Sequence, residues 1–373
     1  MDDRPTAMSQ TVRRSIEVEY WVTDEAGQLV SPGELTAAAQ GVEREFVEPL
    51  LEIKTPPCET TEELQTELFD RLGAVLGRAE ELGKRLVPLA TPVNAGEIQE
   101  LPEERTRIQN EVVGDQFRYV RHCAGTHIHF EQQPGQVVDQ LNGLIALDPA
   151  LALVNSSPYF QGQRLATGAR SKLYRWMAYE DLSKQGRLWR YLEDEADWTR
   201  RLDRRYQEFL AAATEAGVDR QAVSADFDPE SAVWTPVQIR NEFGTVEWRS
   251  PDTALPSHVL QLADGLATVV QRLVQTDVRI GGNRGEVTES AVLLPEFDAV
   301  LEYVEAAIRD GLRSKAVRSY LDRMGLDVAS YEPTATRIDE GGAIDPHAAR
   351  QLRLEYADRL EREVHQRSPA VAD

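Results

Sequence analysis

Ionisable side chains recur at alternate positions of the sequence, each pair separated by one apolar residue. Three segments share this arrangement: Glu17 and Glu19, His127 and His129, and Glu247 and Arg249. On a β-strand, residues two positions apart point to the same face and stand roughly 7 Å from each other. The pattern therefore predicts strands with one apolar face and one ionisable face.

A fourth segment, residues 48–56, shows the arrangement more weakly. Glu48, Glu52 and Lys54 alternate there with apolar residues. For any single strand, exposure of the polar face to solvent explains the alternation equally well. Its recurrence in four segments favours a sheet that is covered by helices on one side and lines a polar cleft on the other.

The chemistry that such a cleft could perform depends on how its charges are neutralised. Several carboxylates facing one cleft repel one another unless basic side chains or bound cations compensate them. A set rich in carboxylates favours Mg²⁺ or Mn²⁺ over Zn²⁺, and no His-Glu-x-x-His motif argues for zinc. Arg249 would direct its guanidinium at an anion held by those cations, for which phosphate is the natural candidate.

Neither common phosphate-binding loop is present. The sequence contains no Gly-x-x-x-x-Gly-Lys-Ser/Thr and no Gly-x-Gly-x-x-Gly motif. Since these glycine-rich loops are the usual devices for holding nucleotide phosphates, any ATP site in this chain must be built differently.

The elements that would position these residues form an irregular mixture of strands and helices, which predicts an α+β fold. Amphipathic stripes predict helices over six segments: 61–85, 135–153, 197–216, 257–276, 295–313 and 346–365. The first of them should be capped by Thr60 or Thr61. We interpret the apolar stripes as surfaces that face the core.

The chain is predicted to hold one catalytic domain over residues 13–330, preceded by a flexible segment, 1–12. A segment rich in Pro, Thr and Gly follows residue 330 and leads to the last helix. Residues 331–373 are therefore predicted to form a linker and a C-terminal helix that packs on the same domain.

The charge balance excludes some partners. With 63 acidic and 41 basic residues, of which five are lysines, the 373-residue chain carries a net charge of −22. Such a surface repels nucleic acid. The acid excess indicates a protein adapted to concentrated salt, as in halophilic archaea, where screening removes the self-repulsion. A GC-rich genome also favours arginine over lysine, but it does not explain the excess of acid.

The predicted location is the cytoplasm. No stretch approaches the roughly twenty apolar residues of a membrane span, and the N-terminus lacks the apolar core of a signal peptide. Cys58 and Cys123 lie far apart in the sequence without Cys-x-x-Cys spacing. This spacing predicts two reduced thiols and neither a disulfide nor a thiolate metal site.

Five short motifs occur in order along the chain: Ile16-Glu-x-Glu-Tyr20, Leu51-Glu-x-x-Thr-Pro56, Cys123-x-Gly-x-His-x-His-Phe130, Ser156-Ser-Pro-Tyr-Phe-Gln-Gly162 and Thr245-Val-Glu-Trp-Arg249. Each motif is short and therefore a weak signal by itself, but the occurrence of all five in this order is specific. Together they resemble the glutamate–cysteine ligase family of the bacterial carboxylate–amine ligase type, and through it the glutamine synthetase superfold.

The resemblance implies a curved, mainly antiparallel sheet that lines the active site, with helices on its outer face. ATP and glutamate would meet there across two or three Mg²⁺ ions. The resemblance implies four roles for the matching positions. One metal would be bound by Glu17, His127 and Glu247, and a second by Glu19 and Glu52. ATP phosphates would be contacted by His129 and Arg249, and substrate by Arg170 and Arg240. Glu247 and Arg249 are thereby the expected catalytic residues. Arg170 and Arg240 could equally be surface cations. The resemblance also offers Glu45 and Glu48, just upstream of Glu52, as ligands, but we interpret them as solvated surface acids.

The implied reaction is ATP-dependent formation of γ-glutamylcysteine from L-glutamate and L-cysteine through γ-glutamyl phosphate, with Mg²⁺ or Mn²⁺ as cofactor. The expected partners are these small molecules, and neither nucleic acid nor membrane. Formation of a homo-oligomer is left open. Three other functions also stay open: ligation to a different amine, phosphotransfer to a guanidino compound, and a non-catalytic protein that keeps the metal and nucleotide site.

Overall fold

The computed structural model describes residues 11–182 and 184–367. Its strands are β1 (Arg14–Asp24), β2 (Val42–Arg44), β3 (Leu50–Lys54), β4 (Lys84–Val87), β5 (Thr126–Glu131), β6 (Tyr159–Phe160), β7 (Gln163–Arg164), β8 (Val237–Arg240), β9 (Thr245–Trp248), β10 (Asp277–Ile280), β11 (Glu286–Val287) and β12 (Ala291–Leu294). Strands and helices are interspersed without regular βαβ units, so the predicted α+β class is confirmed.

The α-helices are α1 (Thr61–Glu81), α2 (Glu104–Val113), α3 (Val137–Leu147), α4 (Ala169–Lys172), α5 (Glu195–Glu215), α6 (Arg220–Asp226), α7 (Pro229–Ala232), α8 (Pro256–Gln275), α9 (Phe297–Asp310), α10 (Lys315–Arg323), α11 (Thr334–Ile338) and α12 (Pro346–Arg367). A π-helical turn, Leu173–Met177, continues α4. Among the described residues, no helix is both long enough and apolar enough to cross a membrane.

The largest sheet positions the ionisable pairs. It contains seven strands in the order β2-β3-β1-β5-β9-β8, with β4 paired to the second half of β1. All these neighbours are antiparallel. Three pairs of residues face each other across strands: Glu17 and His127, Glu19 and Glu52, and His129 and Glu247. Residues opposed in this way share a face of the sheet, so the register gathers all six on one side.

Strand β1 shows the two faces of the sheet most clearly. Ile16, Val18 and Tyr20 are buried, whereas Glu17 and Glu19 are partly exposed. The buried residues belong to one core cluster with apolar side chains of α1, α3 and α8. Because these helices cover the apolar face, the alternation that places β1 in the core leaves its carboxylates in the cleft.

The first predicted helix is shorter than expected. Helix α1 begins after Thr60, one of the two residues predicted to cap it, and the side chain of Thr60 forms a capping box with Glu63. It ends at Glu81 and not at residue 85. Gly83 has φ +62°, and the chain turns there into β4, which pairs with β1. The backbone of Lys84 and Arg85 therefore bonds to a strand and cannot continue the helix.

Two further predicted helices end early in tighter turns. Helix α3 ends at Leu147 and continues as a 3-10 segment, Asp148–Leu153, in which Pro149 supplies no amide donor. Helix α9 ends at Asp310, before Gly311 at φ +56°. Helices α2 and α10 were not predicted, because their apolar stripes are short. Helices α5, α8 and α12 lie within two residues of the predicted bounds.

The ends of the chain bear on the predicted organisation. Residues 1–10 of the segment predicted to be flexible lie outside the described residues, as do 368–373 of the C-terminal region. Val12 is buried, and its amide donates to Gln271 at 3.0 Å. Helix α12 contacts α1, α8 and β4. The division into domains stays a prediction.

Candidate active site

A first group of ligand atoms, the histidine group, consists of Glu17, His127 and Glu247, which the register of β1, β5 and β9 brings together. One ligand atom from each lies within 4.8 Å of the others. His127 Nδ1 is 3.2 Å from Glu17 Oε2 and 3.3 Å from Glu247 Oε1. Burial, and then the charge of Arg249, lower the pKa of His127 to about 4. Its imidazole is thus neutral at pH 7, which is the form that binds a cation.

Basic groups surround the carboxylates of the histidine group. Arg249 Nε lies 3.1 Å from Glu247 Oε1, and Arg240 and Gln238 each donate to Glu247 Oε2 at 3.0 Å. Burial alone would raise the pKa of Glu247, but the charge of Arg249, with smaller contributions from the two histidines and Arg240, lowers it to about 2. Burial alone would raise the pKa of Glu17, but the hydrogen bond with His127 and the neighbouring His129 outweigh it and hold that pKa well below its usual value. Both carboxylates are therefore ionised.

His129 lies beside the histidine group with one ring nitrogen directed into it. Its Nδ1 is 3.0 Å from Thr245 Oγ1. Its Nε2 is 3.6 Å from Glu17 Oε1 and 3.7 Å from Glu247 Oε1, which is too far for a hydrogen bond. In the described part of the chain this buried nitrogen has no hydrogen-bond partner. It is therefore available to a ligand in the cleft.

A second group, the carboxylate group, consists of Glu19, Glu45 and Glu52, again with one ligand atom from each within 4.8 Å of the others. Burial, opposed by Arg170 and reinforced by Glu52, raises the pKa of Glu19 to about 7. Burial, reinforced by the charge of Glu19, raises that of Glu45 to about 8. Burial and the charge of Glu45 raise the pKa of Glu52 well above its ordinary value.

Lys54 is the cation that pairs with the carboxylate group. Its Nζ lies 2.9 Å from Glu52 Oε2 and 3.0 Å from Glu43 Oε2. It therefore divides its charge between a buried acid and an exposed one. One shared ammonium does not offset the mutual repulsion of three carboxylates, so their pKa values stay raised.

Glu45 corrects an expectation from the sequence. Glu48 is exposed, as expected of a surface acid, but Glu45 is partly buried and belongs to the carboxylate group. The interpretation of Glu45 as a solvated acid was wrong because it follows β2, outside the alternating strands. Its amide bonds to Leu50, at the start of β3, and this contact turns the side chain toward Glu52. The only feature of the sequence that could have indicated this role for Glu45 is its proximity to Glu52, which belongs to one of the five motifs.

The two groups are adjacent and fit divalent cations. His127 Nε2 of the first group lies 4.0 Å from Glu19 Oε1 of the second. Two buried nitrogen atoms without hydrogen-bond or ion-pair partners among the described residues lie beside these groups, His129 Nε2 and Arg170 Nε. Carboxylate oxygens with one neutral imidazole are ligands that Mg²⁺ and Mn²⁺ accept. The unpaired donors suit the oxygens of an anionic substrate.

The sequence profile of glutamate-cysteine ligase family 2 (GCS2) matches residues 8–346. The chain belongs to this family.

Two similar proteins carry the provisional name glutamate–cysteine ligase 2. The chain is 29% identical over 185 residues to that of Chloroflexus aggregans, a match covering 46% of this chain and 45% of the relative. It is 27% identical over 183 residues to that of Roseiflexus castenholzii, covering 46% and 47%. In these matches the chain thus spans less than half the length of either relative.

Two solved ligase structures share the fold. A bifunctional glutathione synthetase from Pasteurella multocida superposes with a TM-score of 0.61 at 14% identity, covering 96% of this chain and 53% of that one. A glutamate–cysteine ligase from Francisella tularensis in complex with AMP gives 0.58 at 14% identity, covering 96% and 90%. At this identity the likeness concerns the fold alone, and it confirms the fold class expected of a GCS2 member.

The two arginines expected to contact substrate have different partners in this GCS2 protein. Arg240 is bonded to Glu247 and lies 3.6 Å from Glu230. Arg170 is buried, and its Nη1 donates to the backbone carbonyls of Arg249 and Ser250 at 3.2 and 3.1 Å. Arg170 therefore supports the backbone at Arg249 in addition to facing the cleft. Their roles toward substrate stay predictions.

Proposed function

We propose that the chain is an ATP-dependent glutamate–cysteine ligase, which forms γ-glutamylcysteine from L-glutamate and L-cysteine in the cytoplasm. The observation that carries the proposal is the pair of adjacent acidic groups with Arg249 beside them. Membership of the GCS2 family supports ligase chemistry, and the choice of glutamate and cysteine rests on that family.

The cations proposed for the site are Mg²⁺, or Mn²⁺ in its place. The histidine group would hold one of them, and the carboxylate group another. When bound, they would neutralise the ATP phosphates and the carboxylate of glutamate that approaches them. Glu247 would serve two purposes, since it also orients Arg249 at 3.1 Å.

The proposed reaction has two steps. In the first, an oxygen of the glutamate γ-carboxylate attacks the γ-phosphorus of ATP, and the bond to ADP breaks to leave γ-glutamyl phosphate. In the second, the amine of cysteine, having lost a proton, attacks the acyl carbon and phosphate departs. Arg249 and His129 would contact the transferred phosphoryl group, and their fixed positions would reduce the cost of orienting it.

Arg249 is held in place by contacts on three sides. Glu247 pairs with its Nε, Trp234 lies 5.7 Å below its guanidinium, and Arg170 bonds to its backbone carbonyl. A preorganised cation of this kind stabilises charge that develops on a transferred phosphoryl group. Trp234 stacks in turn on Tyr174 at 4.4 Å, so this wall of the cleft is rigid and apolar, as exclusion of water from an acyl phosphate requires.

The test is to incubate the protein with ATP, Mg²⁺, glutamate and a panel of amines, in low and in near-saturating KCl, and to follow ADP release and product mass. We expect ADP release that depends on glutamate and cysteine together, with a product of the mass of γ-glutamylcysteine. Turnover with another amine and not with cysteine would refute cysteine as the acceptor. Absence of turnover with every amine, in both salt conditions, would refute the ligase proposal.

A further inference from the structure

A pocket of about 600 Å³ lies outside the candidate active site, between the π-helical turn after α4, the segment 184–190, and helices α5 and α9. None of its lining residues belongs to the histidine or carboxylate group. Its volume falls in the range of sites for small molecules. The chemistry of its walls indicates which molecules it would accept.

The pocket is basic, although the protein as a whole is strongly acidic. Seven of its fourteen lining residues are basic, and Glu305 is the single acid among them. The full chain has 41 basic residues in 373 and a net charge of −22. The basic residues come from three separate segments of the chain: Arg175, Lys184, Arg187, Arg190, Arg201, Arg204 and Arg205. A concave surface lined in this way attracts anions.

Several of these cations are available to a ligand. Arg201 and Arg205 pair with Asp197 and Glu208 on their own helix. By contrast, the side chains of Arg187 and Arg204 form no hydrogen bond or ion pair with any described residue, and both are exposed. An ion pair between exposed groups, such as Arg190 with Asp298 at 2.8 Å, is weak. Anionic groups of a ligand could therefore engage at least three guanidinium groups.

The inner wall of the pocket is aromatic and apolar. Trp176, Trp189 and Phe297 line it together with Leu301 and Val304. Trp189 is only 8% exposed and packs on Trp198 at 5.2 Å, so its position is fixed. Guanidinium groups beside flat aromatic side chains suit a ligand that combines a ring with phosphate groups.

The pocket and the candidate active site lie on opposite sides of the chain that follows β9. Arg249 points toward Glu247 in the cleft, whereas the hydroxyl of the next residue, Ser250, contacts the buried carboxylate of Asp148. Arg175, which lines the pocket, bonds to Asp148 at 2.7 Å and to Ser250 at 2.7 Å. A ligand in the pocket would thus leave the proposed catalytic residues free.

We propose that this basic aromatic pocket is a second ligand site, which binds a small polyanion carrying an aromatic ring, of the nucleoside diphosphate or triphosphate class. Phosphates would contact Arg187, Arg190 and Arg204 at the rim. The ring would lie against Trp176 and Trp189, beside Phe297, over which the guanidinium of Arg190 lies at 5.0 Å.

The test uses ADP as the probe, with EDTA present so that cation-dependent binding in the active site is suppressed. Calorimetric titration should give one ADP per chain, accompanied by quenching of tryptophan fluorescence. Tripolyphosphate and adenosine, tested separately, should each bind at least tenfold more weakly than ADP, because each supplies one half of the ligand. Equal affinity for ADP and tripolyphosphate would refute the role of the aromatic wall.

Charge reversal locates the binding. The double variant R187E/R204E should weaken ADP binding at least tenfold, with the far-ultraviolet circular dichroism unchanged because both side chains are exposed. The matched control R279E/R309E reverses two exposed arginines outside the pocket and should change the affinity less than threefold. An equal loss in both variants would show only general attraction to positive charge, and absence of ADP binding to the wild type would equally overturn the proposal.

A third variant separates the pocket from the active site. R249A should retain the cation-independent ADP binding, since Arg249 faces the cleft. Loss of ADP binding in R249A, with binding kept in R187E/R204E, would place the nucleotide in the active site and refute the second site.

Discussion

The histidine group and the carboxylate group lie side by side on one sheet, yet they differ in how their charge is compensated. In the histidine group, Glu17 and Glu247 have lowered pKa values because histidines and arginines surround them. In the carboxylate group, burial raises the pKa of Glu19, Glu45 and Glu52, and Lys54 is shared with an exposed acid. The first group is largely neutralised by protein, whereas the second is not.

Because of this difference, the two groups should depend on bound cations to different degrees. A buried carboxylate with a raised pKa costs free energy when it ionises, and a bound cation removes that cost. The histidine group can keep its geometry without a cation. The carboxylate group should depend on a cation for its ionised state.

The largest expected effect is on catalysis, where the two groups should behave alike. E247Q and E52Q should each lower ADP release in the presence of glutamate and cysteine by at least about 100-fold, because each removes a proposed cation ligand, and loss of even an outer partner of a metal site costs up to that much. E48Q, at an exposed acid, is the matched control. Activity within threefold of the wild type in E247Q or E52Q would remove that group from the site.

In the absence of cations, removing a carboxylate from one group or from the other should change the free energy of unfolding in opposite directions. Glu45 has a pKa raised to about 8, so its folded form resists ionisation at pH 7 while the unfolded chain is ionised, and this lowers stability as pH rises above the ordinary pKa of 4.5. E45Q removes that cost and should raise the free energy of unfolding in EDTA by about 1–3 kcal/mol.

Glu17 should show the opposite sign. Its pKa is lowered, so its ionised form adds stability that is present above its ordinary pKa and lost as the pH falls. E17Q should lower the free energy of unfolding at pH 7 by about 1–3 kcal/mol. Chemical denaturation of the three proteins in EDTA measures both changes. The same sign in the two variants would contradict the division drawn here.

A smaller effect concerns the pH dependence of cation binding. Glu19 and Glu45 have pKa values of about 7 and 8 and must lose protons before they bind a cation. Mg²⁺ affinity should therefore rise about 50-fold between pH 6 and 7, with release of nearly two protons. Calorimetry in two buffers of different ionisation enthalpy measures that release. Affinity independent of pH would show that the carboxylate group does not bind the cation.

The smallest effect should come from Lys54. Its ammonium competes with a cation for Glu52, at 2.9 Å. K54M should strengthen Mg²⁺ binding a few-fold, while K315M, at an exposed lysine on α10, should leave it unchanged. Weaker binding in K54M would mean that Lys54 orients Glu52 and does not compete with the ion.

The sequence predicted the faces of the sheet well and the composition of the site in part. The alternation of Ile16, Glu17 and Val18 specifies which side chains enter the core, because one slip of register would expose all of them. Glu45 was missed because its side chain is directed by a turn after β2. The alternating pairs alone could not assign Glu17 and Glu19 to different groups, since that depends on which strands flank β1; the family resemblance supplied this expectation.

The basic aromatic pocket could not be predicted from patterns in the sequence. Its walls come from segments as far apart as Arg175 and Glu305. Arginines on α5 show only an ordinary charged helix face in the sequence. Packing of α5 and α9 around the segment 184–190 creates the concentration of charge, and only the tertiary structure reveals it.

The most direct measurement is the number of Mn²⁺ ions bound per chain, by equilibrium dialysis and metal analysis of the wild type, E247Q and E45Q. Two adjacent groups predict two Mn²⁺ in the wild type and one in each variant, with the remaining ion in E247Q showing the stronger pH dependence. A wild type that binds no Mn²⁺, or variants that both retain two ions, would contradict the assignment of cations to these groups.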